Sequence, residues 1–304
     1  MRVTVGIPFR NAEGTLSASI RSVFAQSYRD WELWLVDDGS TDHSLDIARA
    51  VKHPQVHVIS DGDHRRLSYR LNQIAQLANG EYLARMDADD LMHPDRLQRQ
   101  VTYLDAHPEV DVVDTATYVI DSANVLLGTR ETRPPVLTPL NVLLHSPLIH
   151  PAVTGRRSWF LDNPYRESPE YGRAQDQELW CRTLTTSTLD RICEPLFFYR
   201  SESAGDPRKI LTSYSVGLKI ARTYGPALVG WPRTAALLLM LRAKALIYRA
   251  LVLVHLHERL IRRRNAPIPS HERALAQRAL EQALQACVPG LDSIQTEMPT
   301  HHMT

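Results

Sequence analysis

"LARMDADDLMHPDRL", residues 83–97, ends an apolar, strand-like run in three carboxylates, Asp87, Asp89 and Asp90. Pro94 then suits the first turn of a helix. Charge of one sign gathered at the end of a buried strand needs a reason, and the flanking chain supplies the frame for one. Five β-rich runs occur early: VTVGIP (3–8), ELWLV (32–36), VHVIS (56–60), EYLARM (81–86) and VDVVDTATYVI (110–120). Apolar residues at helical spacing lie between them. Leu16, Ile20, Val23 and Phe24 form one face; Leu45, Ala48 and Val51 form another, with Ser40 and Thr41 as cap candidates. Leu67, Leu71, Ile74 and Ala78 form a third, stopped by Gly80, and Leu97, Val101 and Leu104 a fourth, followed by Pro108. Strands alternating with helices predict an α/β fold, doubly wound around a mostly parallel sheet. Such sheets take ligands beyond the carboxyl ends of their strands, where strand order reverses. The acids lie there: Asp37 and Asp38 of "WLVDDGSTD" (34–42) end the second strand, and Asp87, Asp89 and Asp90 the fourth.

In an extended segment Asp87 and Asp89 project to one side, about 6–7 Å apart. Two carboxylates that close resist joint ionisation unless a cation lies between them. Oxygen ligands suit Mg²⁺ or Mn²⁺, and Mg²⁺ characteristically completes its shell with water and substrate phosphates. A solvated acidic turn capping the next helix is the plainer explanation for an isolated D-x-D. The second acidic pair changes the balance, because a carboxylate at Asp37 or Asp38 can accept a nucleobase N–H. It can equally serve a turn and helix cap built with Gly39, Ser40 and Thr41. "AQDQELWCR" (174–182) adds Asp176 and Glu178 at a helix start, where the dipole alone favours acids.

The bulk numbers narrow the class. Of 304 residues, 43% are apolar and 23% charged, as in an ordinary globular protein. Cys181, Cys193 and Cys287 are too few and scattered for a disulfide framework or zinc site, which suits a reducing compartment. "MRVTVGIPF" meets Arg10 and Asn11 too soon for a signal peptide, and the longest apolar run, Ala235–Leu241, is too short to span a bilayer. The net charge of +1 conceals a split. Residues 1–206 hold 21 Lys and Arg against 29 Asp and Glu, while residues 207–304 hold 14 against 5.

Four motifs in order carry a resemblance. "VTVGIPFRNAEGTLSASIRSVFAQSYRDWELWLVDDGSTD", "RLNQIAQLANGEYLARMDADDLMHPDRLQRQVTYLDAHPEVDVV", "HPAVTGRRSW" and "QDQELWCRTL", closed by "YR" at 199–200, resemble a family 2 glycosyltransferase of the GT-A fold over residues 1–205. The resemblance implies transfer of a sugar from a nucleotide-diphosphate sugar, with inversion, to a hydroxyl of a glycan or lipid-linked acceptor in cell-surface polysaccharide synthesis. It assigns Pro8 and Asn11 to the nucleotide-facing end of the first strand, Asp38 to the base, and Asp87 and Asp89 to the D-x-D pair, with Asp89 the foremost metal ligand and Asp87 a second that also serves the nucleotide sugar. It makes Asp176 the general base and His150 an acceptor-site candidate. Arg65, Arg66 and Arg70 are candidates for the diphosphate. The chemistry agrees: a sugar hydroxyl needs a carboxylate to take its proton as it attacks. A sugar-phosphate nucleotidyltransferase is disfavoured because "PFRNAEGT" lacks a lysine. A phospho-accepting module would need a lysine after a sheet strand, and Lys52, Lys209, Lys219 and Lys244 do not provide one. A catalytically inactive nucleotide- or sugar-binding relative would lack Asp176.

The expected domains are 1–206, the transferase, with a nucleotide-sugar-binding half (1–120) and an acceptor-binding half (121–206), and 207–304, a basic helical C-terminal extension. Residues 234–264 read as one helix, on which Met240, Ala243, Ile247, Ala250, Val254 and Ile261 share an arc free of basic residues. An anionic membrane surface or a second copy of the chain would fit it; nucleic acid is not an expected partner. The corresponding location is cytoplasmic, peripheral on the inner face of the cytoplasmic membrane.

Overall fold

The computed structural model describes residues 1–172, 174–201, 207–253 and 265–292. Its centre is a nine-stranded sheet in the order β3-β2-β1-β4-β8-β6-β9-β5, with β7 paired to β6. β1 (Val3–Phe9), β2 (Trp31–Asp37), β3 (Val56–Ser60) and β4 (Tyr82–Arg85) run parallel. β1 and β4 are buried along their whole length because helices cover both faces of the sheet here. The helices between them occur where apolar spacing predicts: α1 (Leu16–Phe24), α2 (Ser44–Ala50), α3 (Leu67–Leu77) and α4 (Arg96–Ala106). α2 starts later than the Ser40 and Thr41 cap reading. Asp42 Oδ1 accepts the Ser44 N–H at 3.0 Å, while Ser40 and Thr41 are bonded to Asn11.

Past β4 the sheet becomes mixed. β5 (Leu91–Met92), β6 (Val112–Ile120), β7 (Leu126–Arg130), β8 (Thr154–Arg156) and β9 (Leu189–Arg200) complete it. β8 lies antiparallel between β4 and β6, β9 is parallel to β6, and β5 and β7 are antiparallel to their neighbours. Thus the GT-A arrangement is present, with its parallel part confined to the first four strands. α5 (Pro139–Leu144), α6 (Arg157–Asp162) and α7 (Gln175–Thr183) cover the second half.

The remaining helices are α8 (Pro207–Val229), α9 (Trp231–Leu253) and α10 (Ser270–Gln285). Of the helix expected over 234–264, the part through Leu253 is observed and Val254–Arg264 lie outside the described residues. These helices share the core of the first 201 residues. Val216, Ile220, Ala221, Leu237 and Leu241 cluster with Val142, Leu179 and Trp180. Ala276 and Leu280 cluster with Leu91, Tyr118 and Phe198.

Candidate functional site

Two strand ends build one rim of the site. After β1 the chain turns at Asn11, whose φ of 50° lies in the left-handed region that asparagine tolerates. Asn11 Oδ1 accepts the Thr41 N–H at 2.8 Å, and the Asn11 N–H donates to Ser40 Oγ at 3.2 Å. The loops after β1 and β2 are therefore locked together. Pro8 is buried within β1, in register with Val36. Gly39 has φ 73°, and a Cβ there would come within 3.0 Å of the Asp63 carbonyl carbon, so only glycine lets loop 61–66 lie this close.

That loop occupies Asp38. Its oxygens accept the N–H groups of Arg65 (2.8 Å) and Arg66 (3.1 Å) and Arg70 Nε (2.9 Å), with His64 Nδ1 at 2.7 Å. The expected partner of Asp38 was a nucleobase; here the carboxylate organises the loop, because a buried anion draws in nearby donors. Arg70 is fully buried between Asp38 and Asp61, which removes it from the diphosphate candidates. Arg65 pairs with Asp61 and Asp63, whereas Arg66 makes no ion pair among the described residues.

The D-x-D carboxylates follow β4 in a turn, with the Asp90 N–H directed at Asp87 O (3.3 Å). A turn, rather than the side-to-side alternation of a strand, brings them together. One oxygen each of Asp87, Asp89 and Asp90 lie within 4.8 Å of one another. Asp87 Oδ1 accepts Arg85 Nη2 at 2.6 Å. Buried Asp90 accepts the Arg200 N–H at 2.7 Å, while its second oxygen has no partner among the described residues. Arg200 also donates through Nε to the Asp89 carbonyl at 2.7 Å and so fastens the turn to β9. Asp89 reaches solvent, yet the protein around it and the neighbouring Asp87 charge push its pKa up. Burial, then Asp89 and Asp87, push Asp90 well above the carboxylate range. Crowded carboxylates with an orphaned buried oxygen fit a hard divalent cation, which would relieve the repulsion.

Beside this turn lies a cleft of about 710 Å³, lined among others by Arg85, Asp87, Ser146, His150, Asp176 and Tyr199. Asp176 enters it from the first turn of α7. Burial raises its pKa, against the Ser146 hydroxyl and the Gln177 N–H, which bond the ionised form. His150 is buried at the cleft wall, with Nε2 2.8 Å from the Tyr165 hydroxyl. Burial, with Arg85 nearby, drops its pKa well below the usual histidine value, so its imidazole is neutral. Tertiary structure thus unites Asp87, Asp89, Asp176 and His150 around one cleft and its edge, while Asn11 and Asp38 organise the adjoining strand-end loops.

Sequence reading gave no role to Arg85. It is buried at 4% exposure, and its Nε and Nη1 have no partner among the described residues. The signal was available: an arginine inside the apolar run EYLARM, two residues before Asp87. Glu178, the other acid of "QDQELW", is fully buried and bonded by Arg166, Arg182 and the Tyr224 hydroxyl, so it joins α7 to α8 and does not face the cleft.

A sheet of this order, with clustered carboxylates at a strand end and Asp176 lining the same cleft as Asp87, is the arrangement expected of a nucleotide-sugar-dependent transferase. Comparison with known proteins agrees. The family described as "Glycosyl transferase family 2" matches residues 4–162. The chain is 34% identical over 222 residues to "Putative glycosyltransferase EpsE" of Bacillus subtilis (strain 168), covering 71% of this chain and 78% of that relative. The structure of S. aureus TarS 1-349 in complex with UDP-GlcNAc matches 99% of this chain and 93% of its own, with TM-score 0.58 and 16% identity. The mannosyltransferase PcManGT from Pyrobaculum calidifontis, in complex with GDP-Man and Mn2+, matches 97% and 79%, with TM-score 0.54 and 18% identity. At these identities the two structures share the fold. The chain belongs to glycosyl transferase family 2 and is a nucleotide-sugar glycosyltransferase.

Proposed function

We propose that this transferase moves a sugar from a nucleoside-diphosphate sugar to a hydroxyl of a glycan or lipid-linked acceptor, by one inverting displacement, in the synthesis of a cell-surface polysaccharide. The observation that carries the reading is the cleft that Asp87 and Asp176 line together. Asp176 takes the acceptor hydroxyl's proton as that oxygen attacks the anomeric carbon. Its raised pKa makes it a better proton acceptor than a free aspartate. Asp89, with Asp87 and Asp90 beside it, would hold Mn²⁺ or Mg²⁺; when bound, the cation supplies Lewis-acid stabilisation of charge on the departing diphosphate. The loops joined by Asn11 and Asp38, at the end of the strand carrying Pro8, face the nucleotide. His150, a neutral donor or acceptor, borders the acceptor. The nucleotide sugars and Mn2+ in the TarS and PcManGT complexes support this reading. A lipid-linked acceptor would bring the enzyme to the inner face of the cytoplasmic membrane.

The test is donor binding to Asp89→Asn, measured by calorimetry with Mn²⁺ and with chelator, using UDP-, GDP- and dTDP-sugars. Mn²⁺-dependent affinity falls at least roughly tenfold, a loss of ~1.4 kcal/mol, while the melting temperature is kept. Unchanged, metal-independent affinity removes Asp89 from the role. Product analysis shows the inverted anomer; retention rules out the single displacement.

A further inference from the structure

We infer that α9 is a membrane-docking helix which lies flat on an anionic lipid bilayer through one outward apolar face. The inference rests on the proposed lipid-linked acceptor for its use, though its geometry is independent of it. α9 has two apolar faces. Leu237, Leu241 and Tyr248 are buried, the first two in a cluster with residues of α8 and Tyr248 with its ring 6.0 Å from that of Tyr214. On the other side Leu239 (69%), Leu246 (63%), Ile247 (60%) and Met240 (36%) are exposed, with exposed alanines such as Ala243 and Ala250 between them. At 100° per residue these side chains occupy one arc of about 140° with no charged residue in it.

The borders of the arc are basic. Arg242 and Arg249 run along one edge, and Arg233 and Lys244 along the other. None of the four makes an ion pair among the described residues, and no Asp or Glu occurs anywhere in residues 207–253. Trp231, 72% exposed, stands at the start of the helix, where an aromatic side chain suits a lipid–water boundary. No helix among the described residues is long and apolar enough to cross a membrane. An apolar strip between two cationic rails fits headgroups at its edges and acyl chains beneath its centre. A second copy seated on the same face would set basic rail against basic rail, with no acid on α9 to pair them.

Flotation of the full-length chain with vesicles tests this. Vesicles of phosphatidylcholine with phosphatidylglycerol are compared with phosphatidylcholine alone, at low and high salt. Binding to the anionic vesicles is expected, with at least a tenfold loss at high salt and at least a tenfold loss in Leu239→Glu/Ile247→Glu. Arg242→Glu/Arg249→Glu should lose about as much on anionic vesicles. Donor hydrolysis without vesicles, unchanged in these surface variants, shows that they fold; it also lets the transferase reading fail separately from the docking. Absence of wild-type binding to anionic vesicles, or full binding by Leu239→Glu/Ile247→Glu, overturns the inference. So does a dimer in analytical ultracentrifugation that this double variant abolishes, since the face would then join two copies.

Discussion

Asp176 is set between opposing influences, and its titration follows from them. Burial raises its pKa; the Ser146 hydroxyl, neighbouring N–H groups and Arg85 pull it down. In the proposed mechanism the ionised form is the base, so kcat/KM is expected to fall as pH drops through a pKa above that of free aspartate. Ser146→Ala removes one of the groups favouring the anion, which should move that acid limb to higher pH in a pH–rate profile; an unmoved or lowered limb assigns the titration elsewhere. Asp176→Asn should cut kcat by roughly 10²-fold or more with donor affinity little changed. Arg85 is the residue whose meaning comes from unmet bonding. We propose that this buried guanidinium, with two nitrogens unpartnered among the described residues and a third bonded to Asp87, receives substrate oxygens. Arg85→Met is expected to lower kcat/KM about 10- to 100-fold while the melting temperature moves by only a few degrees, because half-exposed Asp87 stays solvated. A collapse in stability with intact kcat/KM per folded molecule would make Arg85 structural. Asp87, Asp89 and Asp176 were visible in the sequence as acids at strand and helix ends, and the roles proposed for them come from the family resemblance. Arg85 was passed over because one arginine in an apolar strand does not reveal whether its charge is neutralised.

Elements acquire their function here through buried polar links that no periodicity reveals. Asp114 on β6 and Arg191 on β9 form a buried pair at 2.7 Å; Asp114 Oδ2 also accepts the Ile149 N–H at 2.6 Å, and Arg191 donates to Pro147 O at 2.7 Å. Two strands thereby hold the loop that carries Ser146 and His150. Burial pushes the Asp114 pKa up to about 6 even beside the arginine. Asp114→Ala would leave the Arg191 charge without this partner, and unfolding in urea should show a loss of about 3–5 kcal/mol. A loss under ~1 kcal/mol would mean that Glu131, 2.8 Å from Arg191, takes over. The helices α1 to α4 were legible because their apolar faces meet the sheet at regular spacing. The α2 cap was misplaced because Ser40 and Thr41 satisfy Asn11, a partner 30 residues away in the case of Thr41. The extended reading of Asp87 and Asp89 gave way to a turn for a similar reason, since Arg200 of β9 holds the turn from 110 residues away.

On the scale of the whole molecule, the C-terminal helices close the core. Val216, Ile220, Ala221, Leu237 and Leu241 cover the α5 and α7 surface, and each large side chain buried contributes about 1.5–3 kcal/mol. Their sum is comparable with the entire ~5–15 kcal/mol stability of a typical protein. A chain cut after residue 206 is therefore expected to lose its cooperative thermal transition in calorimetry. A transition within a few degrees of the intact chain would show that the helices are only appended. The sequence alone determined the alternation of strands and helices and the family, and it singled out the candidate acids, because these depend on local periodicity and on motifs within short stretches. Tertiary structure decided that Asp38 and Arg70 satisfy each other, that Glu178 turns away from the cleft, and that Arg85 turns toward it. It also decided which apolar face of α9 meets α8 and which meets solvent. Both faces are equally apolar in sequence, and only packing against a particular neighbour breaks the tie.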